Sequence, residues 1–127
     1  MGEEQKKRTE LRRKYLSFLD SVDGITCQPV QNGVTNSEQY FPLQIDPETF
    51  GRSRDDIYNA LKGNNIFSRK YFHPICTDFA PYRSFKIHSV RDVPHVEKIK
   101  SRVLCLPFHS GVTDDDIDCI AGVFGNT

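Results

Sequence analysis

Tryptophan is absent from the 127 residues and methionine occurs once. No apolar run approaches the ~18 residues that a membrane-crossing helix requires. Net charge is missing too: 17 lysines and arginines balance 17 aspartates and glutamates. No overall field therefore draws the chain to nucleic acid or to an anionic lipid surface. The balance is uneven, with six basic groups against three acidic ones in residues 1–14. That local excess is too small for a nucleic-acid binder, and neither nucleic acid nor membrane is an expected partner. Cysteine is sparse. Cys27, Cys76, Cys105 and Cys119 lie far apart, unlike the dense spacing of an exported disulfide scaffold, so they read as free thiols in a reducing compartment. The N-terminus is charged and lacks the apolar stretch of a signal peptide, and a cytoplasmic location is expected.

What is present suffices for one modest core. Hydrophobic residues make up 37% of the chain, with nine Phe and five Tyr supplying the bulk, and the length allows one domain. From about Glu3 to Val22, the residues Leu11, Tyr15, Phe18, Leu19 and Val22 recur at helical spacing. Asp23-Gly24 ends that helix, with Gly24 free to take the left-handed cap. Ile25-Thr26-Cys27 predicts a short strand. Tyr40 to Ile45 predicts a clearer one, in which Pro42 suggests a sheet edge. Ser53 with Asp56 forms a capping box for a helix to Lys62, whose buried stripe is Ile57, Ala60 and Leu61. Asn65 to Phe72 reads as a third strand. Residues 73–91 are irregular. Asp92-Val93-Pro94 opens a further helix with Val96, Ile99 and Val103 facing inward. Leu104-Cys105-Leu106 is a short buried strand, and Thr113 with Asp114, Asp115 and Asp116 starts the last helix. The order predicts an α+β domain: about four helices on a small, mostly antiparallel sheet.

Few residues suit chemistry. His73 and Cys76 have ligand-like spacing, but zinc wants a second such pair, and the downstream His88, His95, Cys105 and His109 do not form one. The aspartates at 114–116 are explained by the helix start alone. No lysine lies in an apolar setting that would lower its pKa for Schiff-base work. No catalytic and no metal residue is therefore expected within the chain. The stretch Ser68-Arg69-Lys70-Tyr71-Phe72-His73-Pro74-Ile75 is different. If it is a strand, Arg69, Tyr71 and His73 share one face, and a guanidinium, a phenol and an imidazole together suit an anionic, hydroxyl-rich ligand. A solvated strand edge with one aromatic in the core fits the same composition.

Three segments make a familiar pattern: Gln39-Tyr40-Phe41-Pro42-Leu43, then Ser53 to Lys62 followed by Asn65 to Pro74, and finally Val103 to Thr113. Together they resemble the C-terminal small domain of the DegT/DnrJ/StrS family, pyridoxal-phosphate-dependent sugar-nucleotide aminotransferases. The resemblance implies a linking helix at 1–24 and a small domain at 25–127, belonging to a longer chain. The large preceding domain of that chain would carry the cofactor cradle and the Schiff-base lysine. The parent enzyme would move an amino group from glutamate to a keto-sugar on a nucleoside diphosphate. Pyridoxal phosphate would be bound by that parent and not by these residues, and the 127-residue chain alone would be inactive. The partners implied are the missing large domain, a second copy in a homodimer or other self-association, and the nucleotide-sugar substrate. Arg69, Tyr71, His73 and Tyr82 fall on substrate-lining positions of the family pattern, while Cys76 stands where a second histidine is common. A reading from another class is a free-standing α+β module that binds a small anionic ligand or a protein.

Overall fold

The computed structural model describes residues 2–71, 73–83 and 94–125. Phe72, residues 84–91 with His88, and Asp92-Val93, where the sequence predicts a helix start, lie outside the described residues.

The apolar stripe of the first segment forms helix α1, Glu3–Leu19. Its first turn carries Glu3 and Glu4, which complement the positive helix end. Leu11, Tyr15 and Leu19 face the core. The chain then reverses through Gly24, whose φ of 82° only glycine adopts without strain. Space also demands glycine there: an added Cβ would sit 2.6 Å from the Phe50 backbone nitrogen.

Strands β1, Ile25–Cys27, and β2, Phe41–Ile45, follow, then a single turn of helix α2, Pro47–Phe50, and helix α3, Arg54–Gly63. The Ser53 hydroxyl accepts from the Asp56 N–H while the Asp56 carboxylate accepts from the Ser53 N–H, the reciprocal box read from the sequence. A 3-10 turn at Cys76–Asp78 precedes α4, Ala80–Arg83, and α5, Pro94–Ile99. Strand β3, Val103–Leu106, and helix α6, Asp114–Gly125, complete the order. At the start of α6 the Asp116 N–H donates to the Thr113 hydroxyl at 3.2 Å, and the Thr113 N–H donates to the Asp116 carboxylate at 2.9 Å.

The sheet is antiparallel, ordered β1-β2-β3. Along β2 the side chains alternate, with Phe41, Leu43 and Ile45 buried and Pro42 and Gln44 half-buried, as expected for a strand with one face on a core. Helices α1, α3 and α6 supply the rest of that core through Leu19, Ile57, Leu61, Ile120 and Phe124. Truncating one of these to alanine would cost roughly 2–5 kcal/mol. The architecture is α+β, as the sequence predicts.

Three details differ. First, Pro42 lies in the central strand. Cys105 exchanges both backbone hydrogen bonds with Arg69, so its polar groups face away from β2 and Pro42↔Cys105 is a non-hydrogen-bonded pair. The proline nitrogen therefore points to the other side, where β1 has already ended opposite Leu43. Pro42 occupies a local edge inside a central strand, and no ladder bond is lost. Second, residues 65–71 do not form a strand. Asn65 takes a left-handed φ of 61°, and among the described residues the segment pairs its backbone with the sheet at the single bridge Arg69↔Cys105. Third, α5 ends at Ile99 and Val103 belongs to β3, because the apolar offsets from Val96 run across the boundary of two elements.

One polar pair sits among the apolar side chains. Arg12 Nε donates to Glu38 Oε2 at 2.8 Å, and the two side chains are 9% and 7% exposed. The guanidinium lies 5.2 Å from the Phe41 ring centroid and 5.3 Å from that of Phe108. Leu11, Tyr15 and Leu19 of α1 and Phe41 of β2 are buried in this chain's own core, whereas Tyr40 is exposed.

Candidate functional site

Burial alternates through Ile66, Phe67, Ser68 and Arg69: inward, outward, inward, outward. The Arg69↔Cys105 bridge holds this segment extended along the free edge of β3, although it is too short to become a strand. Phe67 and Arg69 consequently share the solvent side. Tyr71 follows two residues on, where the chain turns, and its hydroxyl accepts from Arg69 Nη1 at 2.7 Å. The Arg69 guanidinium also lies 5.8 Å from the Tyr71 ring centroid. Tyr40, 57% exposed just ahead of β2, packs edge-on to Tyr71 with centroids 5.5 Å apart and planes at 83°.

These side chains border a cavity of about 480 Å³ between the extended segment, Gln39-Tyr40 and the turn after β3. On the β3 side stands His109, whose Nδ1 accepts from the Gly111 N–H at 3.1 Å. That bond leaves Nε2 as the proton-bearing donor of the neutral ring. Ser68, 6% exposed, also borders the cavity, and its hydroxyl has no hydrogen-bond partner among the described residues. No carboxylate borders it among those residues.

Lys70, between Arg69 and Tyr71, points elsewhere. Its Nζ pairs with Asp55 at 2.9 Å and stands 4.3 Å from the Tyr58 ring centroid. The hydrogen bond from Lys70 holds the Asp55 carboxyl below its ordinary value. The acid on α3 thus takes the lysine, Asp56 is occupied by Ser53, and among the described residues no carboxylate pairs with Arg69.

Of the four residues singled out in the sequence, the structure brings two together, Arg69 and Tyr71. His73 is exposed at a cis peptide bond to Pro74, where its N–H donates to the Lys70 carbonyl. Tyr82 is exposed on α4, and neither it nor His73 borders the cavity. Gln39, Tyr40, Phe67 and His109 were not singled out as site residues. Phe67 carries no local signal, because Ile66-Phe67-Ser68-Arg69 runs apolar, apolar, polar, polar and alternates only in burial. His109 carries no local signal, since only the turn after β3 brings it to the cavity.

A second cavity, about 520 Å³, opens between the 28–37 loop and Arg12 and is bordered mainly by neutral polar groups such as Gln28, Thr35 and Asn36. Among the described residues no three His, Cys, Asp or Glu side chains converge as metal ligands, and no helix is long and apolar enough to cross a membrane.

These residues do not fit a cradle for pyridoxal phosphate. Among the described residues no lysine borders the Arg69 cavity. Lys14, Lys70 and Lys100 are each held by an aspartate or glutamate, and the hydrogen bonds that Lys14 donates to Asp114 and Lys100 donates to Glu97 push those two further toward the protonated form. An ammonium in an ion pair is not the free amine that an imine requires.

Comparison with known proteins agrees with the fold. The DegT/DnrJ/EryC1/StrS aminotransferase family pattern matches residues 1–124. The chain is 36% identical over 109 residues to the dTDP-4-amino-4,6-dideoxy-D-glucose transaminase of Escherichia coli, covering 86% of this chain and 29% of that protein. It is 27% identical over 116 residues to the spore coat polysaccharide biosynthesis protein SpsC of Bacillus subtilis, covering 90% and 29%. Among solved structures, DesI in the presence of its TDP-sugar product superposes with a TM-score of 0.84 at 30% identity, over 95% of this chain and 30% of that one. The chain therefore spans less than a third of the length of these relatives. Members of the family depend on pyridoxal phosphate. From the match across residues 1–124 and the shared α+β fold, this chain belongs to the DegT/DnrJ/EryC1/StrS aminotransferase family.

Proposed function

We propose that this chain is the C-terminal part of a pyridoxal-phosphate-dependent aminotransferase that moves an amino group from glutamate to a nucleotide-linked keto-sugar. Residues 1–24 lead into the small domain at 25–127, and the small domain contributes contacts to the substrate. The cofactor and its lysine belong to a large domain outside these residues, and the working enzyme is a homodimer. Four unpaired thiols support a reducing, cytoplasmic setting.

The observation that carries the reading is the Arg69–Tyr71 pair on a carboxylate-free cavity. The guanidinium keeps its charge at all working pH, and its planar fork can hold two oxygens of a phosphate. Tyr71 stiffens that fork by accepting one of its N–H groups. Arg69 and Tyr71 bind and orient, with His73 and Tyr82 nearby in sequence on the flanking turn and on α4.

The test is Arg69→Lys in the chain joined to its large domain. Losing a charge-assisted contact of about 1.5–3 kcal/mol should raise the KM for the sugar nucleotide roughly ten- to hundredfold. Cofactor absorbance and the glutamate half-reaction should not change. Unaltered kinetics toward both substrates would remove Arg69 from the site.

A further inference from the structure

The loop between β1 and β2 presents two reactive groups side by side. Residues 31–34 form a tight turn in which the Val34 N–H donates to the Gln31 carbonyl at 3.2 Å. Of its two central residues only Gly33 has a positive φ, 77°, which is the type II pattern. In such a turn the N–H of the Asn32–Gly33 peptide takes no part in the closing bond. Both residues are exposed. Among the described residues neither the Asn32 side-chain amide nor the Gly33 N–H has a hydrogen-bond partner. The space beside Gly33 is open as well, since a Cβ built there would meet nothing within 4 Å.

The chain has six asparagines, and the fold restrains the others that are described. Asn36 Oδ1 accepts from the Glu38 N–H at 3.2 Å, and the Asn36 carbonyl accepts from Gln5 Nε2 at 3.2 Å. Asn59 lies inside α3, where the next N–H belongs to the helical ladder. Asn64 Nδ2 donates to the Ala60 carbonyl at 2.8 Å. The N–H groups that follow Asn64 and Asn65 donate to the Lys62 and Leu61 carbonyls. Asn126 lies outside the described residues.

We propose that Asn32 is a modification site, at which the side-chain amide is lost as ammonia and replaced by a carboxylate. The Gly33 nitrogen gives up its proton and attacks Asn32 Cγ. A C–N bond forms, the Cγ–Nδ2 bond breaks, and ammonia leaves carrying the proton. Water then opens the cyclic imide at either of its carbonyls, which leaves aspartate or its backbone-shifted isomer, isoaspartate. Water is the only co-reactant. A neutral loop residue thereby becomes an anion, beside a cavity whose one charged bordering group among the described residues is the Arg12 guanidinium. The change stays local because the loop is tied at both ends. Cys27 pairs with Leu43 in the sheet, and the carbonyls of Asn36, Glu38 and Tyr40 accept from Gln5, Arg8 and Arg12 on α1.

The 127-residue chain can be held folded in mildly alkaline buffer, beside a sample in urea, and followed by ion exchange and peptide mass mapping. In the folded sample an acidic species should accumulate, faster at higher pH, with the conversion mapped to Asn32 while Asn36, Asn59, Asn64 and Asn65 stay intact. Asn32→Gln, at an exposed position, should stop it, because the longer side chain does not close the same ring. Urea should open Asn36-Ser37 to the same reaction. In the converted protein, backbone amide NMR signals of residues 28–36 should shift while those of β2 and the thermal midpoint stay unchanged. The proposal is overturned if the folded chain gains no charge at Asn32, if Asn36 or Asn64 converts as fast as Asn32, or if Asn32→Gln acidifies as the parent chain does. It is also overturned if the preference for Asn32 over Asn36 is the same in urea as in the fold, or if conversion moves the β2 signals or the midpoint.

Discussion

Replacing Glu38 by alanine isolates the energetics of the buried pair between α1 and the loop before β2. Both side chains are less than a tenth exposed, and Arg12 also donates to the Tyr40 carbonyl at 3.3 Å. Removing the carboxylate leaves a guanidinium that is shut from water and flanked by the Phe41 and Phe108 rings. An uncompensated charge of this kind costs about 3–5 kcal/mol, far more than the attraction within an exposed pair. With an unfolding entropy of roughly 2.1 cal/mol/K per residue, that loss corresponds to a Tm lower by about 10–20 °C. Backbone strain does not confuse the result, because Glu38 already sits at a positive φ of 53° and alanine has the same difficulty there. Arg12→Met keeps a long apolar stem between the two rings, so the double variant Arg12→Met/Glu38→Ala should recover much of the stability lost by Glu38→Ala alone. Urea unfolding of the four proteins in the cycle gives the coupling directly. A Glu38→Ala loss below about 1 kcal/mol, the size of a surface pair, or strict additivity in the cycle, would refute the reasoning.

Gly24→Ala should destabilise by more than about 1 kcal/mol, since its φ is positive and the new Cβ meets the Phe50 backbone; a neutral result in thermal melts would contradict the close approach. Ser53→Ala should cost about 1 kcal/mol through loss of the α3 cap, read by the same melts, and an unchanged midpoint would mean that the box contributes nothing. Hydrogen bonds from Thr49, Lys70, Ser53 and Thr113 hold the carboxyls of Asp46, Asp55, Asp56 and Asp116 below the ordinary 3.8. Depressed folded-state values mean stability that is complete above the ordinary range and drains as pH falls through the folded values, below about pH 4. A midpoint that rises between pH 4 and pH 2 would reverse the sign. Burial pushes the Cys27 thiol up to about 11 and raises Cys105 as well, so at pH 7.5 a thiol reagent should label the exposed Cys76 well before either of them; equal rates would refute this.

Some of this protein is written within a turn or two of chain. The Ser53–Asp56 and Thr113–Asp116 boxes involve residues three apart, the stripe Leu11, Tyr15, Leu19 repeats at helical spacing, and the alternation in β2 follows the pleat. Such signals need no knowledge of the rest of the molecule, so helices α1, α3 and α6 and strand β2 could be placed from sequence. The family pattern was legible for a related reason, since it consists of residue types at set spacings. Other features depended on what lies across space. Asn65 to Phe72 has the composition of a strand, but a strand is made by its neighbour's hydrogen bonds, and among the described residues of that stretch only Arg69 finds a bridge partner, Cys105. Pro42 reads as an edge residue. Its actual tolerance came from β1 ending one residue short, a property of the partner strand. Arg12 and Glu38 are 26 positions apart, and nothing local distinguishes that arginine from the solvated ones beside it. The cavity has the same origin: Arg69 and Tyr71 were visible as neighbours, whereas Tyr40 and His109 reach it only because the sheet folds β2 and β3 against each other. Local sequence determined the elements and the tertiary structure decided the pairings, because a side chain's partner over a long separation is chosen by packing and not by spacing.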